Sequence, residues 1–123
     1  MNYRTAVSFA ALGILTACES PAGLSQAAPA WTAVYQMPYE AMANCLVQRS
    51  QLPWVKVTPA FYPEQRRATI TVTTPTGSAL GTFDIRQISA RDTEVAYRSI
   101  YGGPDSSAGG DAQNKADRCA RGA

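Results

Sequence analysis

Between Arg67 and Thr73 the chain alternates with a strict period of two, Ala68, Ile70 and Val72 taking turns with Thr69, Thr71 and Thr73. Successive side chains of an extended strand point to opposite faces, so this run predicts a strand with one dry side and one wet side. The same pattern recurs around it. Val55 and Val57 alternate with Trp54, Lys56 and Thr58 upstream. Downstream, Gly81, Phe83 and Ile85 alternate with Thr82, Asp84 and Arg86, and Val95 and Tyr97 with Glu94, Ala96 and Arg98. Thr74-Pro75-Thr76-Gly77 and the Ser89 to Asp92 stretch carry turn-forming residues between these runs. Four consecutive strands joined by short turns predict an antiparallel meander, apolar on one face and polar on the other.

The flanks change period. After Pro38, which suits the first turn of a helix, Met42, Cys45, Leu46 and Arg49 fall at i, i+3, i+4 and i+7, and Pro53 stops any continuation. At the other end, Gly102 to Gly110 reads as a loop, and Asp111 is placed to cap a last helix whose one side carries Ala112, Lys115, Ala116 and Cys119. Trp31 to Met37 is expected as a short extended lead-in. The fold class that results is α+β: helix, four antiparallel strands, helix, with both helices on one face of the meander. Residues 31–123 form one small domain.

The first 30 residues are of another kind. Arg4 is followed by a mostly apolar run from Ala6 to Leu15 and then by small residues, the layout of a secretory signal and too short to span a bilayer. No polar stripe at helical spacing interrupts residues 5–17, which disfavours a surface helix. The run ends in Leu15-Thr16-Ala17-Cys18, which resembles the lipobox of bacterial prolipoproteins. That resemblance covers only about the first 20 residues. It implies that the signal helix, residues 1–17, is cleaved and that Cys18 is acylated and anchors the chain in the membrane. It further implies a periplasm-facing lipoprotein, with Glu19 after the cysteine leaning towards the outer membrane. Glu19 to Ala30, rich in Ala, Pro and Ser without apolar periodicity, is expected to be a flexible tether with a reach of roughly 35 Å.

With Cys18 given to lipid, Cys45 and Cys119 remain. Export places them in an oxidising compartment, where an even pair bridges. Both fall on packing sides of the flanking helices, so a helix-to-helix disulfide is expected.

Composition narrows the chemistry. Once Arg4 leaves with the signal, ten basic residues face nine acidic ones. That balance argues against a nucleic-acid partner, which needs a concentrated basic stripe. The chain has no His, which removes the commonest general base, the usual nucleophile–His pairs and most zinc sites. No phosphate-cradling glycine loop is visible, and no cofactor or metal is expected. Asp84 and Glu94 share the polar face on strands that could be neighbours, and two close carboxylates there could do acid–base work if burial pushed their pKa values apart. Arg86 and Arg98 beside them make ordinary cross-strand ion pairs the better reading.

The candidate binding face consists of Thr71, Thr82, Arg86 and Arg98, whose hydroxyl and guanidinium donors suit an envelope protein or a glycan. A second candidate is Phe61-Tyr62, read as an exposed loop bracketed by Pro59 and Pro63. The functional expectation is a non-enzymatic envelope lipoprotein, a scaffold or interaction module. A binding module or small inhibitor directed at an envelope-targeted enzyme or glycan is the alternative, and a carboxylate-based hydrolase ranks last.

Overall fold

The computed structural model describes residues 21–24 and 26–122, so the lipobox and Cys18 lie outside the described residues. The chain runs α1 (Pro21–Leu24), β1 (Trp31–Gln36), α2 (Tyr39–Arg49), β2 (Lys56–Tyr62), β3 (Arg67–Thr73), β4 (Ala79–Gln87), β5 (Asp92–Ser99) and α3 (Gly110–Arg121). The architecture is α+β, with the strands ordered β1-β5-β4-β3-β2 in one sheet whose neighbours are all antiparallel. β2 to β5 form the expected meander.

The sheet has five strands rather than four. The lead-in is itself a strand, β1, which pairs with β5 from Trp31 opposite Tyr97 to Gln36 opposite Asp92. Its inward residues Trp31, Ala33 and Tyr35 are half-buried and its outward residues Thr32, Val34 and Gln36 are exposed. The alternation is masked in sequence because the wet side carries an apolar Val34 and the dry side a small Ala33. What makes the segment a strand is the hydrogen-bonding edge that β5 offers it, a partner 56 to 66 residues downstream along the ladder.

Both longer helices pack on one face. Ala68, Ile70, Phe83, Ile85 and Val95 rise from that face into a core with Tyr39, Met42, Ala43 and Leu46 of α2 and Ala112, Ala116 and Cys119 of α3. Cys45 and Cys119 are bonded with their Cα atoms 5.8 Å apart, tying the end of α2 to the end of α3. No helix among the described residues is long and apolar enough to cross a membrane.

Three local readings are corrected. The cap of α3 is Gly109 rather than Asp111, and no side chain caps the helix. A Cβ at position 109 would lie 3.1 Å from the Ala30 carbonyl oxygen and closer still to Trp31, so the helix starts where only glycine lets the chain pass β1. Asp111 sits one turn short of Lys115 and pairs with it instead. Phe61 and Tyr62 close strand β2 rather than forming a loop. Pro59 lies within that strand, where an edge position tolerates the missing amide hydrogen. Finally, α1 and residues 26–30, read as part of a flexible tether, lie against the sheet. Leu24 is 2 % exposed, α1 contacts β4, and the Ala30 amide donates to the Tyr97 carbonyl.

Candidate functional site

Strand alternation puts Thr71, Thr82 and Arg98 in one row and Arg67, Arg86 and Glu94 in another, all on the face away from the two long helices. The structure therefore brings the four expected binding residues onto one plane, but it divides them. Arg98 Nε donates to the Ala27 carbonyl at 2.8 Å, and Thr82 and Thr73 are buried along with Ala79 and Leu24. That half of the face is covered by the chain's own leader. The other half stays open. Arg86 is exposed and pairs with Glu94 at 2.8 Å, and Arg67 holds Asp84 at 3.0 Å. The Arg67 guanidinium also lies 5.6 Å from the centre of the Tyr62 ring, a cation–π contact.

The two carboxylates do not face each other across the ladder. Asp84 stands opposite Ala96, and Glu94 opposite Arg86. Each is committed to its own arginine, so neither is poised to exchange a proton with the other. Tyr62 and Phe61 are both exposed, but they point to opposite sides of β2: Tyr62 shares the open face with Arg67, whereas Phe61 pairs with Ala68 on the helix side.

The helix side holds a concavity that no sequence pattern marked. Beyond the end of α2, residues 51–55 pass over the sheet as a loop beside the first turns of α3. A cleft of about 180 Å³ lies between them. Val72, Leu80, Phe83 and Tyr97 line it from the sheet, and Leu52, Trp54 and Val55 from the loop. The shape has local causes. Val72 pairs with Gly81 but Thr73 with Ala79, so Leu80 is an extra residue that bulges towards this side. Gly81 has no side chain, and the Tyr97 ring lies over it. A Cβ there would come within 2.7 Å of the Tyr97 Cζ. Burial raises the Tyr97 phenol above its usual range, so it stays a neutral hydroxyl at physiological pH.

Two polar features accompany the apolar walls. Ser50, the cap of α2, lines the cleft, is 4 % exposed, and its Oγ has no hydrogen-bond partner among the described residues. Asp111 and Lys115 line the cleft and also the neighbouring groove, where Arg49, Asn114 and Arg118 join them. Neither Arg49 nor Arg118 has a carboxylate partner among the described residues.

Periodicity could not have found this site, because Ser50, Leu52 and Trp54 come from a loop and Leu80 from a bulge. The usable signal was Leu52 and Trp54 flanking Pro53, two large apolar residues in a segment that cannot be helical. Both are exposed in the folded chain. Among the described residues no three His, Cys, Asp or Glu groups converge as metal ligands would. No family model matches the chain, and neither a curated protein nor a solved structure matches it.

Proposed function

We propose that this protein is a bacterial envelope lipoprotein, held at the membrane by lipid on Cys18, whose domain works by binding rather than by catalysis. The Leu-Thr-Ala-Cys run supports the anchor. The packing of α1 and residues 26–30 supports what the anchor does to the domain. Only three peptide links separate Cys18 from Pro21, where α1 begins, a span of at most about 10 Å. The domain therefore rides on a short leash. α1 contacts β4 on the face away from the two long helices, so a lipid anchor just upstream of it would leave α2, α3 and the cleft facing the periplasm.

Support for a binding role comes from the exposed half of the sheet face. Arg86, Glu94, Arg67, Asp84 and Tyr62 present alternating charge and one ring on a rigid surface, suited to a protein or glycan partner of the envelope. The commitment of Asp84 and Glu94 to separate arginines favours that role over hydrolysis.

Intact-mass measurement of the membrane fraction tests the anchor. A chain beginning at Cys18 with added acyl chains is expected. At about 0.8 kcal/mol per buried methylene, such chains make attachment effectively permanent. An unmodified chain beginning at Met1 would end this reading.

A further inference from the structure

The cleft beside Ser50 goes beyond anchoring and partner contact, and three observations about it converge. Its volume of about 180 Å³ is slightly larger than the roughly 150 Å³ of an apolar cavity that accommodates a single benzene ring. Its walls are ring and aliphatic surfaces, Trp54, Leu80, Phe83 and Tyr97 among them. One of its lining residues, Ser50, carries a buried hydroxyl with no partner among the described residues, at a cost that native structures seldom leave standing. An apolar filler alone leaves Ser50 Oγ orphaned, whereas an occupant with a hydrogen-bonding group beside its apolar part satisfies it once the buried Ser50 side chain turns towards the cleft.

Charge then decides what that group is. The cleft lies beside the groove of Arg49 and Arg118, the two sharing Asp111 and Lys115 as lining. Three cations stand there against one carboxylate, and the carboxylate is already taken by Lys115. Two guanidiniums without a carboxylate partner among the described residues favour an anion, and their planar forks match a carboxylate.

We propose that this cleft and groove form one binding site for a small amphiphilic carboxylate. A ring-sized apolar group lies against Trp54 and Tyr97, and the carboxylate reaches towards Arg49 and Arg118 past the Ser50 hydroxyl. The volume holds a ring or a short chain and excludes a long acyl chain. The site faces away from α1, so ligand binding and the leash use opposite sides of the sheet.

Phenylbutanoate is a suitable probe, with phenylbutanol as its neutral counterpart. The test uses the whole chain as isolated from cells, in lipid nanodiscs if it carries lipid, so binding is read whichever amino terminus the chain has. The acid should bind at least about tenfold more tightly than the alcohol, with NMR shifts at Ser50, Trp54 and Tyr97. Arg49→Gln combined with Arg118→Gln should remove the advantage of the acid while leaving alcohol binding in place. Ser50→Ala should weaken both probes several-fold without changing the fold.

Equal affinity for acid and alcohol would overturn the assignment, as would no binding of either at the limit of solubility. Shifts confined to the arginines, with Ser50 and Tyr97 unmoved, would reduce the site to surface ion attraction and overturn it too. Binding of a peptide ending in Phe, with none of the free acid, would make this a peptide-docking groove and refute the small-ligand proposal.

Discussion

The Arg98 guanidinium donates to the Ala27 carbonyl across 71 positions of sequence, fastening the leader to the face of the sheet that the two long helices leave bare. With Leu24 buried over β4, this contact turns a nominal tether into part of the domain. It explains why the polar sheet face is half closed.

Leu24→Ala should loosen that leader. Truncating a buried Leu costs about 2 kcal/mol at the low end of the usual range, which is apt for a residue packed on one side of a sheet. Hydrogen exchange at residues 26–30 should speed up well before the core amides respond. Arg98→Ala should do the same more weakly, with a loss of about 1 kcal/mol. Unchanged exchange at Ala27 and Ala30 in both variants would show that the leader is held by something else.

Replacing Cys45 and Cys119 together by Ala should lower the free energy of unfolding by about 4.5 kcal/mol on the chain-entropy estimate for a crosslink spanning 74 residues. The fold should survive, since the core of α2, β3, β4 and α3 does not depend on the sulfur atoms alone. Denaturant titration of oxidised and double-Ala protein reads the difference. Equal midpoints would mean that the crosslink is offset by strain or by residual structure in the unfolded chain.

Arg86 and Arg98, alike in sequence pattern, should respond differently to charge reversal. Arg86→Glu on the open half should weaken capture of an envelope partner more than reversal at Lys56 or Arg121, and should change stability by no more than about 1 kcal/mol. Arg98→Glu should act chiefly by releasing residues 26–30. Pull-downs from solubilised membranes, run beside exchange measurements, separate the two effects. Loss of capture in Tyr62→Ala with none in Arg86→Glu would move the contact to the edge of β2.

Tyr35 donates to Asp117 Oδ1 at 2.6 Å, linking β1 to α3. Burial first, and then the hydrogen bond and charge of Asp117, raise its phenol above the usual 10.0. A group whose folded pKa lies above its unfolded one stabilises fully below the unfolded value and ceases to do so as pH climbs through the folded value. The unfolding midpoint should therefore hold up to about pH 10 and fall above it. Tyr35→Phe removes this contribution, so the alkaline decline should be shallower while stability at neutral pH drops by about 1 kcal/mol. An identical alkaline slope in the variant would show that Tyr35 is not its source.

Gly81→Ala should push the Tyr97 ring out of its seat over β4. Overpacking of this kind costs about 1–3 kcal/mol, and the displaced ring should narrow the cleft beside Ser50. A lower melting temperature together with altered Tyr97 ring shifts is the expected pair of readings. A neutral effect on both would mean that the ring turns aside without resistance.

Periodicity by itself determined the four strands of the meander, the two flanking helices and the face on which Ala68, Ile70, Phe83, Ile85 and Val95 are buried. Those features rest on which side of a strand or helix a residue falls, and near neighbours in the chain decide that. It also placed Cys45 and Cys119 on the packing sides of their helices, as their bond requires. What lay beyond it depends on residues far apart in sequence. Trp31–Gln36 is a strand because β5 presents a free edge. Gly109 caps α3 because Trp31 and Ala30 run past it, which no propensity for Asp111 could reveal. Residues 21–30 carry no apolar period, and α1 is docked by the burial of Leu24 against β4 and Ala27 by the Arg98 guanidinium, both distant in sequence. The cleft arises where α2 stops, Leu80 bulges and Tyr97 crosses Gly81, three events on separate elements. Only the packed sheet brings them to one place, because the elements that wall that concavity are distant in sequence.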